Sequence, residues 1–331
     1  MFIRLFKGAG PGVLVLIIIT LLAVWTGAFL NPMADSISEY NINPMPLYEL
    51  LKMIIGSKVL TGVVFSFLLV SVMAFLIVNF NTKEVFISER TFLPALFYVL
   101  TIGLFPQFQL LNPVLPASVF LLFALIRIID SYHKPGIAYN FFDAGILIST
   151  GSLFYANLIW FGILIFIGIA LLRPGNLIEI TVSFFGLLTP YLLAFGYFYT
   201  IGKGAGALLT LLKINLFGNS TGYIVHGFTF VALISVSVVV IVSIIYLLMR
   251  ISSNKIKSRV TFNLLLLVFI ISLGIYIFLP SGSAEIIWII SIPVSYFLAH
   301  YFVFVKKKVI PEIIFLLLFI FVLVIQILYL K

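Results

Sequence analysis

Acidic side chains are scarce in this chain, and several of its ten acids lie in one polar stretch, residues 31–58. They are Asp35, Glu39 and Glu49. Long apolar segments make up most of the remaining chain, so few other stretches carry side chains suited to acid–base or cation-binding chemistry. The stretch 31–58 is therefore the first candidate for a functional site.

Basic side chains border the polar breaks of the chain. Lys58 ends the first stretch, and Lys203 and Lys213 lie in a second break over residues 201–224. Lysine binds phosphate as a point charge, so these side chains are candidate ligands of a lipid-linked phosphate. The alternative is that they only extend their charges to the membrane surface.

Charged groups also lie at the ends of two neighbouring apolar segments. Arg127 and Asp130 come near the end of one segment, and Asp143 comes near the start of the next. Ionisable groups at such depth are costly unless they are paired. We therefore expect a structural ion pair between Arg127 and Asp143 or Asp130. A proton relay would need further acids deep within the segments.

Composition predicts the class of protein. Hydrophobic residues make up 63% of the 331 residues and charged residues 9%, which is too little polar surface for a soluble domain of this size. The prediction is an all-α, polytopic integral membrane helical bundle with membrane lipids as partners. The net charge of +9 does not indicate nucleic acid, because the basic residues are scattered between apolar segments.

Eleven apolar segments approach the roughly 20 residues that cross a bilayer. They cover residues 12–30, 59–80, 91–105, 114–130, 141–156, 158–173, 179–199, 225–249, 261–279, 285–305 and 311–330. With a cytoplasmic amino terminus, most basic residues fall on the cytoplasmic side, as the positive-inside rule requires. One fused helix over 141–172 would instead place the basic cluster at 250–259 outside. Eleven segments therefore fit better.

On this topology the stretch 31–58 faces the periplasm or the exterior. Its apolar residues 47, 50, 51, 54 and 55 follow Pro46 at helical spacing, which predicts a short amphipathic helix on the outer leaflet. The predicted organisation is a seven-span module at 1–200 with external loop 31–58, an external loop at 201–224, and a four-span module at 225–331.

Two stretches, 89–128 and FFDAGILISTGSLFY at 141–155, resemble an uncharacterised family of bacterial polytopic inner-membrane proteins. The resemblance implies the bacterial inner membrane as the location. Members have been labelled carotenoid oxygenases, which hold iron with four histidines. This chain has His133, His226 and His300, in separate segments, so that label does not fit and no metal site is predicted from them.

More distantly, the order of spans resembles the GT-C superfamily of membrane glycosyltransferases, whose first span is followed by an external loop with short helices and an acidic residue. The matching acid is Asp35. The resemblance implies that it acts as general base toward an acceptor hydroxyl or as ligand of a divalent cation. Glu39 and the three lysines named above would then bind a polyprenyl-phosphate-linked sugar. A D-x-D acid pair and an external soluble domain are missing from the sequence.

Three functions of different class fit these patterns. The first is a GT-C-like transferase acting on a polyprenyl-phosphate-linked sugar at the outer face. The second is a non-catalytic membrane subunit or scaffold of a cell-envelope complex, and the third is a carrier or flippase for a lipid-linked molecule. Whether the chain is an enzyme stays open. A lipid-accessible external cavity would favour the transferase, a filled interior the subunit, and deep polar residues the carrier.

The topology is tested by single thiols, because the natural chain contains no cysteine. We expect an impermeant thiol reagent to label Ser36→Cys but not Lys307→Cys in intact cells, and to label both after permeabilisation. Labelling of Lys307→Cys alone would reverse the orientation.

Overall fold

The computed structural model describes residues 3–32, 43–56, 58–132, 139–173, 177–219, 227–253, 255–306 and 309–329. Regular structure within these ranges is helical. The α-helices are α1 (Ile3–Lys7), α2 (Pro11–Leu30), α3 (Pro46–Ile55), α4 (Val59–Glu84), α5 (Leu93–Ile102), α6 (Val114–Asp130), α7 (Asn140–Ser152), α8 (Ile163–Leu172), α9 (Leu177–Thr200), α10 (Ala205–Phe217), α11 (Gly227–Arg250), α12 (Ile256–Phe278), α13 (Ile287–Phe304) and α14 (Val309–Tyr329). Short 3₁₀ turns lie at Pro106–Gln109, Ala156–Gly162, Ile251–Ser253 and Ala284–Ile286.

Seven helices of the described ranges are long and apolar enough to cross a membrane: α2, α4, α9, α11, α12, α13 and α14. The chain is therefore a multi-pass helical membrane protein, as its composition predicted. The other predicted segments form shorter helices, and α5, with 10 residues, is only about 15 Å long at 1.5 Å per residue. The number of eleven crossings stays a prediction, because helix length alone supports seven.

Helix α13 lies at the centre of the bundle. Helices α5, α11 and α12 all pack against it, and most of its side chains are buried. Tyr296 on α13 donates its hydroxyl to the Ile77 carbonyl oxygen of α4 at 2.8 Å. A hydroxyl without a partner is expensive in an apolar interior, so this bond fixes how α4 sits against α13.

The irregular backbone between α5 and α6 is held by amide side chains, one from α14 and two of its own. Gln326 Nε2 on α14 donates to the Gly103 carbonyl oxygen at 2.8 Å. Gln109 Nε2 donates to the Val24 carbonyl oxygen of α2 at 3.1 Å. Asn112 Oδ1 accepts the Leu115 backbone N–H at the start of α6. Non-helical backbone at membrane depth is tolerated where protein surrounds it and supplies such partners.

Helices α7 and α9 pack backbone to backbone through two glycines. A Cβ at Gly145 would lie 2.8 Å from the Leu187 backbone nitrogen, and one at Gly186 would overlap the Phe142 carbonyl oxygen. Small residues at such crossings let membrane helices approach closely, which increases their van der Waals contact.

Ion pairs collect at one end of the bundle, which we call the charged end. They join Lys7 to Glu89 (3.3 Å), Lys83 to Asp130 (2.8 Å), Lys257 to Glu84, Arg127 to Asp143 (3.6 Å) and Arg173 to Glu179. Segments far apart in sequence are held together there, because residues from the amino terminus, α4, α6 and α12 all take part. These pairs neutralise several of the charges that border the apolar segments.

The opposite end, which we call the loop end, is held by neutral hydrogen bonds. The Leu47 backbone N–H donates to the Leu153 carbonyl oxygen at 3.1 Å, and Asn215 Nδ2 donates to the Asn43 carbonyl oxygen at 3.0 Å. The Tyr48 hydroxyl donates to the Leu111 carbonyl oxygen at 3.2 Å. These contacts join loops that the eleven-segment topology assigns to the outer side.

Two short helices lie at the loop end. Helix α3 forms where the amphipathic pattern predicted it, with Tyr48 buried against the bundle and Met53 and Ile54 exposed. Helix α10 lies within residues 201–224, for which the sequence pattern predicts only an external loop. Gly204, with φ of 70°, allows the chain to turn into this helix, and the apolar run that follows forms its body. The glycine-rich start concealed the helix from the sequence pattern.

A matched pair of substitutions on α9 tests the glycine contact. Alanine normally favours a helix over glycine, so Gly196→Ala, in open space, should keep or raise the thermal unfolding temperature in detergent. Gly186→Ala should lower it, at a cost of about 1–3 kcal/mol, because the new methyl overlaps the α7 backbone. Equal temperatures for the two variants would contradict this packing.

Candidate functional site

A cavity of about 410 Å³ lies between α5, α11, α12 and α13. Its wall is mainly aliphatic and aromatic, with Thr101, Ser237 and Ser291 adding hydroxyls. Sites for small molecules are typically about 300–1,000 Å³ and mostly apolar, so the size and lining suit a hydrophobic group. The interior of this bundle is therefore not completely filled by its own side chains.

The cavity lies near the outer surface of the helical bundle. Helices α11 and α12 both pack against α13, and the cavity lies between the two. Ser237 and Ile241 on α11 and Tyr276 on α12 line the cavity and are also exposed on the outer surface. The cavity therefore borders the outer surface of the bundle between α11 and α12.

The turn Ala284–Ile286 closes the cavity toward the loop end. Ala284 and Ile286 line the cavity, and Glu285 lies between them in the turn. Ser283 Oγ donates to Glu285 Oε2 at 3.2 Å, and the Glu285 side chain stays partly exposed. A carboxylate thus lies one residue away from the wall of an apolar cavity.

The segment that carries Glu285 is anchored by a buried asparagine. Asn157 Nδ2 donates to the Ser281 carbonyl oxygen at 3.3 Å and to Ser281 Oγ at 3.1 Å. Ser281 Oγ also lies 2.7 Å from the Leu216 carbonyl oxygen at the end of α10, to which it donates. Asn157 and Ser281 are both buried, so this network fixes the turn to α10 and to the 3₁₀ segment Ala156–Gly162.

Helix α3 brings an aromatic and a cationic side chain to the same end. Burial raises the pKa of the Tyr48 hydroxyl above its ordinary value, and the negative charge of Glu285 raises it further. Tyr48 therefore stays neutral, and its hydroxyl donates to the Leu111 carbonyl oxygen. Lys52 Nζ lies 5.8 Å from the centre of the Tyr48 ring. The loop end thus presents a carboxylate, a phenol and an ammonium group.

The predicted catalytic and substrate-binding residues lie at several places. Asp35 and Glu39 fall outside the described residues. Lys58, Lys203 and Lys213 are exposed, and Lys203 Nζ lies 5.9 Å from the centre of the Phe198 ring. The structure describes all three lysines, and none of them lines the cavity. Their proposed contact with phosphate stays a prediction.

The predicted structural group lies at the charged end. Arg127 Nε is 3.6 Å from Asp143 Oδ2, whereas Asp130 accepts from Lys83 Nζ at 2.8 Å through both carboxylate oxygens. Asp130 was one of the two partners predicted for Arg127. In the structure Asp130 instead forms an ion pair with Lys83 on α4. A contact between residues far apart in sequence could not be read from local spacing.

His300 lies in an aromatic environment near the charged end. Its ring centre is 4.8 Å from that of Phe304 and 5.3 Å from that of Phe262. His226 falls outside the described residues. Across the residues that the structure does describe, no three histidine, aspartate or glutamate side chains form a group that could hold a metal ion.

Sequence reasoning did not single out Glu285, Tyr48 or Asn157. Glu285 is the first residue of a predicted apolar segment, where an acid is easily taken for an ordinary flanking charge. The signal that could have drawn attention to it is the sequence Ser281-Gly-Ser-Ala-Glu285, which places small polar residues and a single acid before an apolar run. Tyr48 and Asn157 become notable only because folding buries them.

The fold and the cavity define a class: a multi-pass α-helical membrane protein with an apolar cavity between its helices. Within that class, the chain belongs to DUF6427, a family of unknown function that matches residues 45–330. No curated protein and no solved structure matches the chain. Any function must therefore be argued from the site itself.

Loss of the asparagine anchor should be measurable. Asn157→Leu would leave the buried polar groups of Ser281 with fewer partners, at a cost of about 1–3 kcal/mol. We expect a lower thermal unfolding temperature in detergent for this variant. The matched control is Asn219→Leu, because Asn219 is exposed and should tolerate the change. A loss of stability in the control alone would contradict the anchoring role.

Proposed function

We propose that this chain binds a polyprenyl-phosphate-linked sugar from the outer leaflet of the bacterial cytoplasmic membrane and transfers the sugar to an acceptor. The observation that carries the proposal is the apolar cavity of about 410 Å³ with exposed wall residues on the lipid side. A water-soluble ligand would not enter through an opening that faces lipid. A lipid chain would enter it by lateral diffusion.

The polar groups beside the cavity support a ligand with a polar end. The turn Ala284–Ile286 belongs to the cavity wall and to the polar loop end at once. A lipid with its chain in the cavity would therefore bring its head group near Glu285, Tyr48 and Lys52. The ammonium group of Lys52 suits a phosphate. The cavity is too small for a whole polyprenyl chain, so the distal part would stay in the bilayer.

In this proposal the amino terminus is cytoplasmic, the chain crosses the membrane eleven times, and the loop end faces outward. The division of contacts between the two ends supports this arrangement. Lys7, Lys83 and Lys257 make ion pairs at the charged end, which agrees with the preference of basic residues for the cytoplasmic side. The short helices α3 and α10 would then lie at the outer leaflet.

The catalytic part of the proposal assigns Asp35 as general base. Its carboxylate would accept the proton of an acceptor hydroxyl as that oxygen attacks the sugar, while the polyprenyl phosphate leaves. A divalent cation held by Asp35 is the other role that the GT-C resemblance suggests. Glu39 and the lysines Lys58, Lys203 and Lys213 would contact the donor from the surrounding loops.

The experiment uses the purified protein in lipid nanodiscs with fluorescent polyprenyl-phosphate hexoses. Ser237 lines the cavity and Val238 next to it points to lipid with 55% exposure, so they form a matched pair. We expect Ser237→Phe to weaken lipid binding at least tenfold and Val238→Phe to leave it unchanged. Because sugar transfer depends on Asp35, Asp35→Asn should lower transfer by at least a hundredfold with little change in binding.

The outcomes separate the three classes of function. Binding with transfer that Asp35→Asn abolishes supports the transferase. Binding without transfer in the wild-type protein contradicts it and favours a carrier or a non-catalytic subunit. No binding, or equal binding by Ser237→Phe and wild type, overturns the assignment of the cavity as the lipid site.

A further inference from the structure

Glu285 differs from the acids of the charged end in how its charge is compensated. Glu84 and Glu179 are buried there beside Lys257 and Arg173. Glu285 makes no ion pair with any described residue, and the hydrogen bond from Ser283 at 3.2 Å is the contact it receives. Carboxylates near the apolar part of a membrane are expensive without a partner, so an uncompensated one is a candidate functional group.

The position of Glu285 relative to the cavity is determined by its neighbours. Ala284 and Ile286 both contribute to the cavity wall, and Glu285 between them lies close enough to Tyr48 for its charge to raise the pKa of the Tyr48 hydroxyl. The polar end of an occupant would pass over this turn to reach the outside. The network of Asn157 and Ser281 holds the turn in place, so the carboxylate is presented on a rigid segment.

A carboxylate recognises a particular kind of head group. Its ionised form accepts hydrogen bonds and repels a phosphate, and its neutral form still offers a carbonyl oxygen as an acceptor. Neighbouring hydroxyls of a sugar donate hydrogen bonds to such a group, and bonds to a charged acceptor are about twice as strong as neutral ones. The Ser283 hydroxyl occupies Glu285 Oε2, which leaves Oε1 for a ligand.

We propose that Glu285 binds hydroxyl groups of the sugar of the lipid-linked substrate and selects glycosylated over unglycosylated polyprenyl phosphate. This inference rests on the proposed function, because it takes the cavity as the site of the lipid chain. It assigns specificity to a residue outside the stretch 31–58. Lys52, whose Nζ lies 5.8 Å from the centre of the Tyr48 ring, would supply the cation for the phosphate in this arrangement.

The test compares two probes in nanodiscs: polyprenyl phosphate and the same lipid carrying glucose or mannose. Wild-type protein should bind the glycosylated lipid about tenfold more tightly, the worth of one charge-assisted hydrogen bond. Glu285→Gln should lose most of this preference, because a neutral amide oxygen accepts a weaker hydrogen bond than a carboxylate does. Glu49→Gln on α3 is the matched control, an acid at the same end, and should keep the wild-type preference. Intrinsic fluorescence melting of each variant confirms that it is folded.

Each result decides one point. Loss of the preference in Glu285→Gln, with binding of polyprenyl phosphate retained, supports the inference. A preference retained by Glu285→Gln, or wild-type protein that binds both probes equally, overturns the role of Glu285 and leaves the lipid site standing. If the wild-type protein binds neither probe, the proposed function itself fails. Loss in the Glu49→Gln control as well would also contradict a specific role for Glu285.

Discussion

Backbone hydrogen bonding in an apolar surrounding is the constraint on which this structure depends. A helix satisfies its own N–H and C=O groups, but the short helix α5 ends inside the bundle and continues as irregular backbone. The Gly103 carbonyl oxygen accepts from Gln326, and Gln109 donates to the Val24 carbonyl oxygen. Helices α2, α5 and α14 are thereby tied together at membrane depth. One boundary of the cavity, at Thr101, Leu104 and Phe105, depends on these bonds.

The two ends of the bundle solve the problem of polar groups differently. At the charged end, acids and bases from distant segments neutralise one another, so their charges remain near the apolar region at little cost. At the loop end, neutral amides and hydroxyls satisfy the buried polar groups by hydrogen bonding, as in the network of Asn157 and Ser281. Glu285 is the described acid of this end that lies beside the cavity. The difference makes the loop end the more suitable place for a ligand to complete unsatisfied interactions.

The cavity results from the way two helices pack on a third. Helices α11 and α12 both contact α13 and leave a space between them that their own side chains do not fill. Within a membrane such a space is not necessarily empty, because lipid chains can enter from the side. The proposed lipid site therefore needs no movement of the bundle. It needs only the separation of α11 and α12 and a polar turn at one end.

The apolar periodicity and length of its segments determined, from the sequence alone, that the chain is a helical membrane protein, and the amphipathic pattern located α3. These features are local, because they depend on residues close together in the chain. The glycine-rich start of residues 201–224 hid α10. The tertiary structure alone decided that Lys83 pairs with Asp130, that Asn157 anchors Ser281, and that Glu285 lies beside a cavity. Each of these contacts joins residues brought together by helix packing, and no pattern in a single segment carries information about its packing partner.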